Sequence, residues 1–182
     1  MTPNEISALI RDVPDFPKPG VLFKDLTPLL ASHRALAAVI DLMCEPWADA
    51  RCTVVAGVEA RGFLLAPLVA QRLGVGVVPI RKQGKLPWRS RRVEYALEYG
   101  TDVLEMHEDA VRPDDLVLII DDVLATGGTA TAAVQLVRDA GASVAGAAFA
   151  IELGFLNGRD ALADVRVSAV VTYPSIPRLG AQ

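Results

Sequence analysis

Apolar residues along this chain recur in two rhythms. After Ser32, Leu36, Val39, Ile40 and Met43 fall three or four apart, which puts them on one face of a helix. Nearer the N-terminus, Thr2-Pro3-Asn4-Glu5 reads as a helix start, with a Thr cap, Pro at the first helical position and Glu closing a capping box. That first helix is predicted to run to about Arg11. Pro14, Pro17, Pro19 and Pro28 then predict an extended segment that cannot be helical, because proline fixes φ and removes a backbone donor.

Farther along, short unbroken apolar runs alternate with helical stretches. Thr53-Val54-Val55-Ala56 reads as a buried strand, residues 62–73 as a helix and residues 76–80 as a strand. Residues 116–121 read as a strand, 128–140 as a helix stopped by Gly141, and 143–151 and 165–173 as strands. Continuous apolar strands alternating with helices predict an α/β fold with a central, mostly parallel sheet flanked by helices. At 182 residues the chain is expected to form one domain. Between Gln83 and Tyr99, Gly, Pro and basic residues interrupt every periodicity, so residues 83–99 are expected to be a long flexible loop.

Composition narrows the classes. With 52% hydrophobic and 22% charged residues the chain is globular rather than disordered. Its longest apolar runs are far too short for a membrane span, and no secretory leader pattern opens it, so a cytoplasmic protein without a membrane partner is expected. Cys44 and Cys52 form no disulfide framework and read as small buried hydrophobes; with His33 and His107 isolated, a Cys/His metal site has nothing to be built from. The net charge of -4 argues against nucleic acid as a partner. Yet Arg81, Lys82, Lys85, Arg89, Arg91 and Arg92 lie together with no acid among them, which suggests a small anionic ligand handled at one place.

The strongest signal is VLIIDDVLATGGTATAA, residues 117–133. In open α/β sheets, ligands bind beyond the carboxyl ends of the strands. Here a strand ends in two acids, and Ala125-Thr126-Gly127-Gly128-Thr129 opens a helix whose N-terminal amides and dipole favour an anion. The Walker spacing and its lysine are absent. Donors for a phosphate beside carboxylate acceptors for a diol describe a ribose 5-phosphate site.

This string resembles the ribose-phosphate signature of the type I phosphoribosyltransferases, which use 5-phosphoribosyl 1-pyrophosphate (PRPP) and Mg²⁺. The resemblance implies that Ala125, Thr126, Gly127, Gly128 and Thr129 hold the 5-phosphate and that Asp121 and Asp122 hold the ribose hydroxyls. It implies that Mg²⁺ is held through the substrate rather than in a protein cage.

Three further segments resemble the adenine-using members. PDFPKPGVLFKD, residues 14–25, is similar to a hood over the base, within an expected covering segment of residues 1–31; Leu22, Phe23, Lys24 and Val123 would line the adenine pocket. AGVEARGF, residues 56–63, is similar to a pyrophosphate loop built from Glu59, Ala60 and Arg61. IRKQGKLP and EYALEYG are similar to a lid, with Arg81, Lys82 and Lys85 on the pyrophosphate and Tyr95 and Glu98 as catalytic groups beside Arg61. Glu98 would handle the proton that adenine sheds. The resemblance implies purine salvage by a homodimer, with adenine and PRPP as substrates. The alternatives are transfer to xanthine, hypoxanthine or orotate, or a PRPP-sensing regulator.

Overall fold

The computed structural model describes residues 1–96 and 100–175. Helix α1 (Pro3–Ser7) starts with the expected capping box, Thr2 accepting from the Glu5 amide and Glu5 accepting from the Thr2 amide. It stops well before Arg11, because the chain turns into strand β1 (Arg11–Pro14), which pairs antiparallel with β2 (Leu22–Asp25). A short helix α2 (Thr27–Leu30) follows inside the segment expected to be wholly extended. Pro28 sits in its first turn, where a missing N–H costs no helical hydrogen bond. Ser32 caps α3 (His33–Cys44), which buries Ala35, Val39, Ile40, Met43 and Cys44.

Seven strands form the central sheet: β3 (Val54–Val58), β4 (Gly76–Lys82), β5 (Ser90–Ala96), β6 (Thr101–His107), β7 (Leu116–Leu124), β8 (Ser143–Leu153) and β9 (Val167–Tyr173). Their order is β5-β6-β4-β3-β7-β8-β9. Strands β4, β3, β7, β8 and β9 run parallel, while β6 and β5 add an antiparallel edge. Helix α4 (Gly62–Leu73) links β3 to β4, and α5 (Gly128–Asp139) links β7 to β8.

Alternation along β7 shows why both faces are covered. Leu118 and Ile120 join the core made with α3 and α4, whereas Val117 and Ile119 join the core made with α5. The loop expected over residues 83–99 is corrected for residues 90–96, and residues 97–99 lie outside the described residues. Residues 90–96 form an edge strand in which Val93 and Tyr95 pack on the α5 core while Arg91, Arg92 and Glu94 stay in water. Its register on β6, Tyr95 opposite Asp102 and Val93 opposite Leu104, supplies the backbone partners that local sequence did not announce.

Strand β3 ends where α4 begins, and β7 ends where α5 begins. Both turns therefore open at the carboxyl edge of the sheet, side by side.

Candidate active site

Strand β7 continues past the expected end at Asp121 to Leu124, so Asp121 and Asp122 belong to the strand rather than to the turn. Ala125, Thr126 and Gly127 then make the turn into α5. Gly127 holds φ at +89°, and a Cβ there would lie 2.6 Å from the carbonyl oxygen of Gly158, so only glycine fits. No side chain caps this helix, which leaves its first amides facing the cleft with the positive end of the dipole.

Asp122 is buried and receives the Nε–H of Arg61, the residue just before α4. Asp121 accepts from the Asp122 amide at 2.8 Å. Burial, with the Asp122 carboxylate beside it, pushes the Asp121 carboxyl well above the ordinary range. Gly62 allows this closeness: a Cβ there would stand 2.8 Å from the Ile120 carbonyl and 2.9 Å from Asp121 Oδ1. The Arg61 guanidinium also lies 5.0 Å over the ring of Phe23, so one cation touches the β7 acid and the β1–β2 hairpin together.

Glu59 gathers the basic residues of the adjacent strand. Its carboxylate accepts from Arg81 Nε at 3.3 Å, the Lys82 amide at 3.0 Å and Lys85 Nζ at 2.9 Å. Although burial works against the charge, these donors hold its pKa down to about 2. The Lys82 ammonium reaches elsewhere, donating to Asp102 and to the Tyr95 hydroxyl at 2.6 Å.

These groups enclose a cleft of about 440 Å³. Leu22, Phe23, Lys24, Glu59, Ala60, Arg61, Lys82, Asp121, Asp122, Val123 and Ala125 through Thr129 all contribute to its wall. Arg81, Lys85 and Tyr95 do not line it but hydrogen-bond to residues that do: Arg81 and Lys85 to Glu59, Tyr95 to Lys82 and Thr129. Lys24 offers no free cation to a base: its ammonium is 2.5 Å from Asp12 and 3.9 Å over the ring of Tyr173. Glu98 lies outside the described residues. Val21, Leu124, Ala130, Leu153 and Leu156 also line the cleft and were not singled out from the sequence, since isolated apolar residues look the same in a core and in a binding wall.

A model of the phosphoribosyl transferase domain matches residues 25–171. The adenine phosphoribosyltransferase of Thermobifida fusca (strain YX) is 55% identical over 167 residues, covering 92% of this chain and 95% of that protein. The chain belongs to the adenine phosphoribosyltransferase family. Among solved structures, the adenine phosphoribosyltransferase of Rhodothermus marinus superposes with a TM-score of 0.90 at 49% identity, over 94% of this chain and 98% of the other. The Giardia lamblia enzyme, solved with 9-deazaadenine, gives 0.90 at 37% identity over 95% and 98%.

Family membership fits the strand order and the two adjoining loops. It also gives the donor set a meaning. Among the described residues no three His, Cys, Asp or Glu side chains come together as a metal cage. The side-chain oxygens of Asp121 and Asp122 are hard donors of the kind a hydrated divalent cation would accept.

Proposed function

We propose that this chain transfers the 5-phosphoribosyl group of PRPP to adenine, releasing AMP and pyrophosphate in purine salvage. One observation carries the reading: a phosphate-type helix start and an arginine-bearing turn adjoin two carboxylates, with Leu22 and Phe23 of the β1–β2 hairpin lining the same cleft. A phosphorylated sugar with a second anion at its other end fits that spacing of charges.

Each subsite then has a physical task. The amides of residues 125–129 and the hydroxyls of Thr126 and Thr129 hold the 5-phosphate. Asp121 and Asp122 accept from the ribose hydroxyls. Leu22, Phe23 and Val123 flank the purine, with Lys24 contributing its stem. Arg61 and Lys82 face the pyrophosphate, while Arg81 and Lys85 lie within reach once they leave Glu59. A ring nitrogen of adenine bonds to ribose C1 as the bond from C1 to the pyrophosphate oxygen breaks. Cations aimed at that oxygen stabilise the departing charge, and one such contact is worth roughly 10²- to 10³-fold in rate. The nitrogen's proton must then leave, and Glu98 is the carboxylate proposed to accept it. Asp121 and Asp122 are the residues that would contact a hydrated Mg²⁺ arriving with the substrate, and such an ion would supply further neutralisation of the leaving group's charge.

The enzyme is proposed to act as a cytoplasmic homodimer. Leu64 on α4 is 53% exposed and Val77 on β4 is 45% exposed, apolar residues that a two-fold contact would cover. Among the described residues no helix is long and apolar enough to cross a membrane.

The test is a base panel with Mg-PRPP. Adenine is expected to yield AMP and pyrophosphate at a kcat/KM at least about a hundredfold above hypoxanthine, guanine or orotate, because a site built to hydrogen-bond one base edge leaves polar groups unpaired with another. Preferential turnover of any of those three would overturn the adenine assignment.

A further inference from the structure

Lys82 enters the cleft from the end of β4, and the groups that hold its ammonium come from other strands. Asp102, near the start of β6, accepts from Nζ through one carboxylate oxygen and from the Val103 amide at 2.8 Å through the other. Directly across the ladder stands Tyr95, whose hydroxyl accepts from the same ammonium at 2.6 Å and donates to Asp102 at 3.3 Å. That hydroxyl has one place left, and Thr129 of the phosphate loop fills it at 3.4 Å. An unbroken polar chain thus runs from Thr129 at the helix start of α5 through the Tyr95 hydroxyl to the Lys82 ammonium.

We propose that Asp102 is a positioning residue for phosphoribosyl transfer: it fixes the Lys82 ammonium for the pyrophosphate group and, with Tyr95, ties that ammonium to Thr129 at the 5-phosphate. The inference rests on Lys82 facing pyrophosphate in the reading above. A lysine on four rotatable bonds loses considerable rotamer entropy when it binds an anion. A carboxylate that already holds it removes part of that cost from the binding step. The bridge is charged on both sides. Burial opposes ionisation of Asp102, but the Lys82 ammonium and the Val103 amide outweigh it and keep the carboxyl below its ordinary range. A phosphate seated in the loop competes for the Thr129 hydroxyl, so its binding is felt through Tyr95 by the Lys82 ammonium.

The experiment compares wild type, Asp102→Asn, Asp102→Glu, Lys82→Met and the double variant Asp102→Asn/Lys82→Met, by steady-state kinetics and by calorimetry with Mg-PRPP. Asp102→Asn is expected to weaken PRPP about tenfold, the usual scale for one charge-assisted hydrogen bond, while the KM for adenine stays within about twofold. Asp102→Glu restores most of the loss. In the Lys82→Met background, Asp102→Asn brings no further loss, because the group it acts through is already gone. A full tenfold loss on top of Lys82→Met, or an equal rise in the KM for adenine, would overturn the role. Should Asp102→Asn fail to fold, Tyr95→Phe carries the same comparison, since it removes only the bridging hydroxyl. Wild type that binds PRPP in the calorimeter yet makes no AMP would refute the adenine reading instead, and the binding data would still decide the case of Asp102.

Discussion

Glu59 shows how one side chain organises several others. Its carboxylate collects Arg81, Lys85 and the Lys82 amide, and these donors lower its pKa from an ordinary 4.5 to about 2. A carboxyl depressed in the folded state adds stability that is present above about pH 4.5 and is lost as pH falls toward about 2. Glu59→Gln cannot gain or lose that charge. The gap in urea midpoint between wild type and Glu59→Gln is therefore expected to be widest near neutrality and to narrow steadily as pH falls through this window. A gap that stays constant with pH would show that the cations do not act through this carboxylate. At this scale the sequence was informative where residue types fell in a fixed order. The acids, threonines and glycines of residues 121–129 were expected where a strand runs into a helix, and the structure brings them together there on the wall of one cleft. The role of Asp102 could not be read this way, because its meaning lies in Tyr95 and Lys82 on the two strands that flank its own.

Strands β3, β7 and β8 were legible because they are buried on both faces and carry unbroken apolar runs, and α3 because its apolar residues form a clear helical stripe. The edge was not. Strand β5 has only Val93 and Tyr95 turned inward, and its arginines mask the alternation. Strand β6 alternates Asp102, Leu104 and Met106 inward, a pattern that becomes meaningful only when β4 and β5 flank it. The expected first helix overran for a related reason: only Ile6 within α1 is buried, too little apolar surface to prolong a helix. Element packing also sets the distance between the two loops of the site, and Gly62 is where they meet. Gly62→Ala would place a methyl group 2.8 Å from the Ile120 carbonyl, forcing α4 away from β7. Overpacking of this kind costs roughly 1–3 kcal/mol. A lower Tm together with at least tenfold weaker PRPP binding is expected, measured by calorimetry on the folded fraction. Unchanged PRPP affinity would mean that the separation of the two loops is not critical.

Across the whole molecule, an acidic chain concentrates its cations on one edge of the cleft. The six basic residues from Arg81 to Arg92 divide into two sets in the structure. Arg81, Lys82 and Lys85 turn to Glu59, Asp102 and Tyr95 of the same chain, whereas Arg89, just before β5, and Arg91 and Arg92 on it are exposed to water. In the proposed dimer, the exposed Leu64 and Val77 form the contact. Leu64→Asp is expected to shift light scattering at micromolar concentration from dimer to monomer, and wild type that is already a monomer would exclude the assembly. The central claim is that one cleft, made where β3 and β7 end, holds phosphate, ribose, base and pyrophosphate together. A crystal structure of the protein with AMP and pyrophosphate tests it most directly. The account predicts the AMP phosphate on the amides of residues 125–129, ribose hydroxyls on Asp121 and Asp122, adenine under Phe23, and pyrophosphate beside Arg61 and Lys82. An AMP phosphate bound away from the start of α5, or pyrophosphate bound away from Arg61, would contradict it.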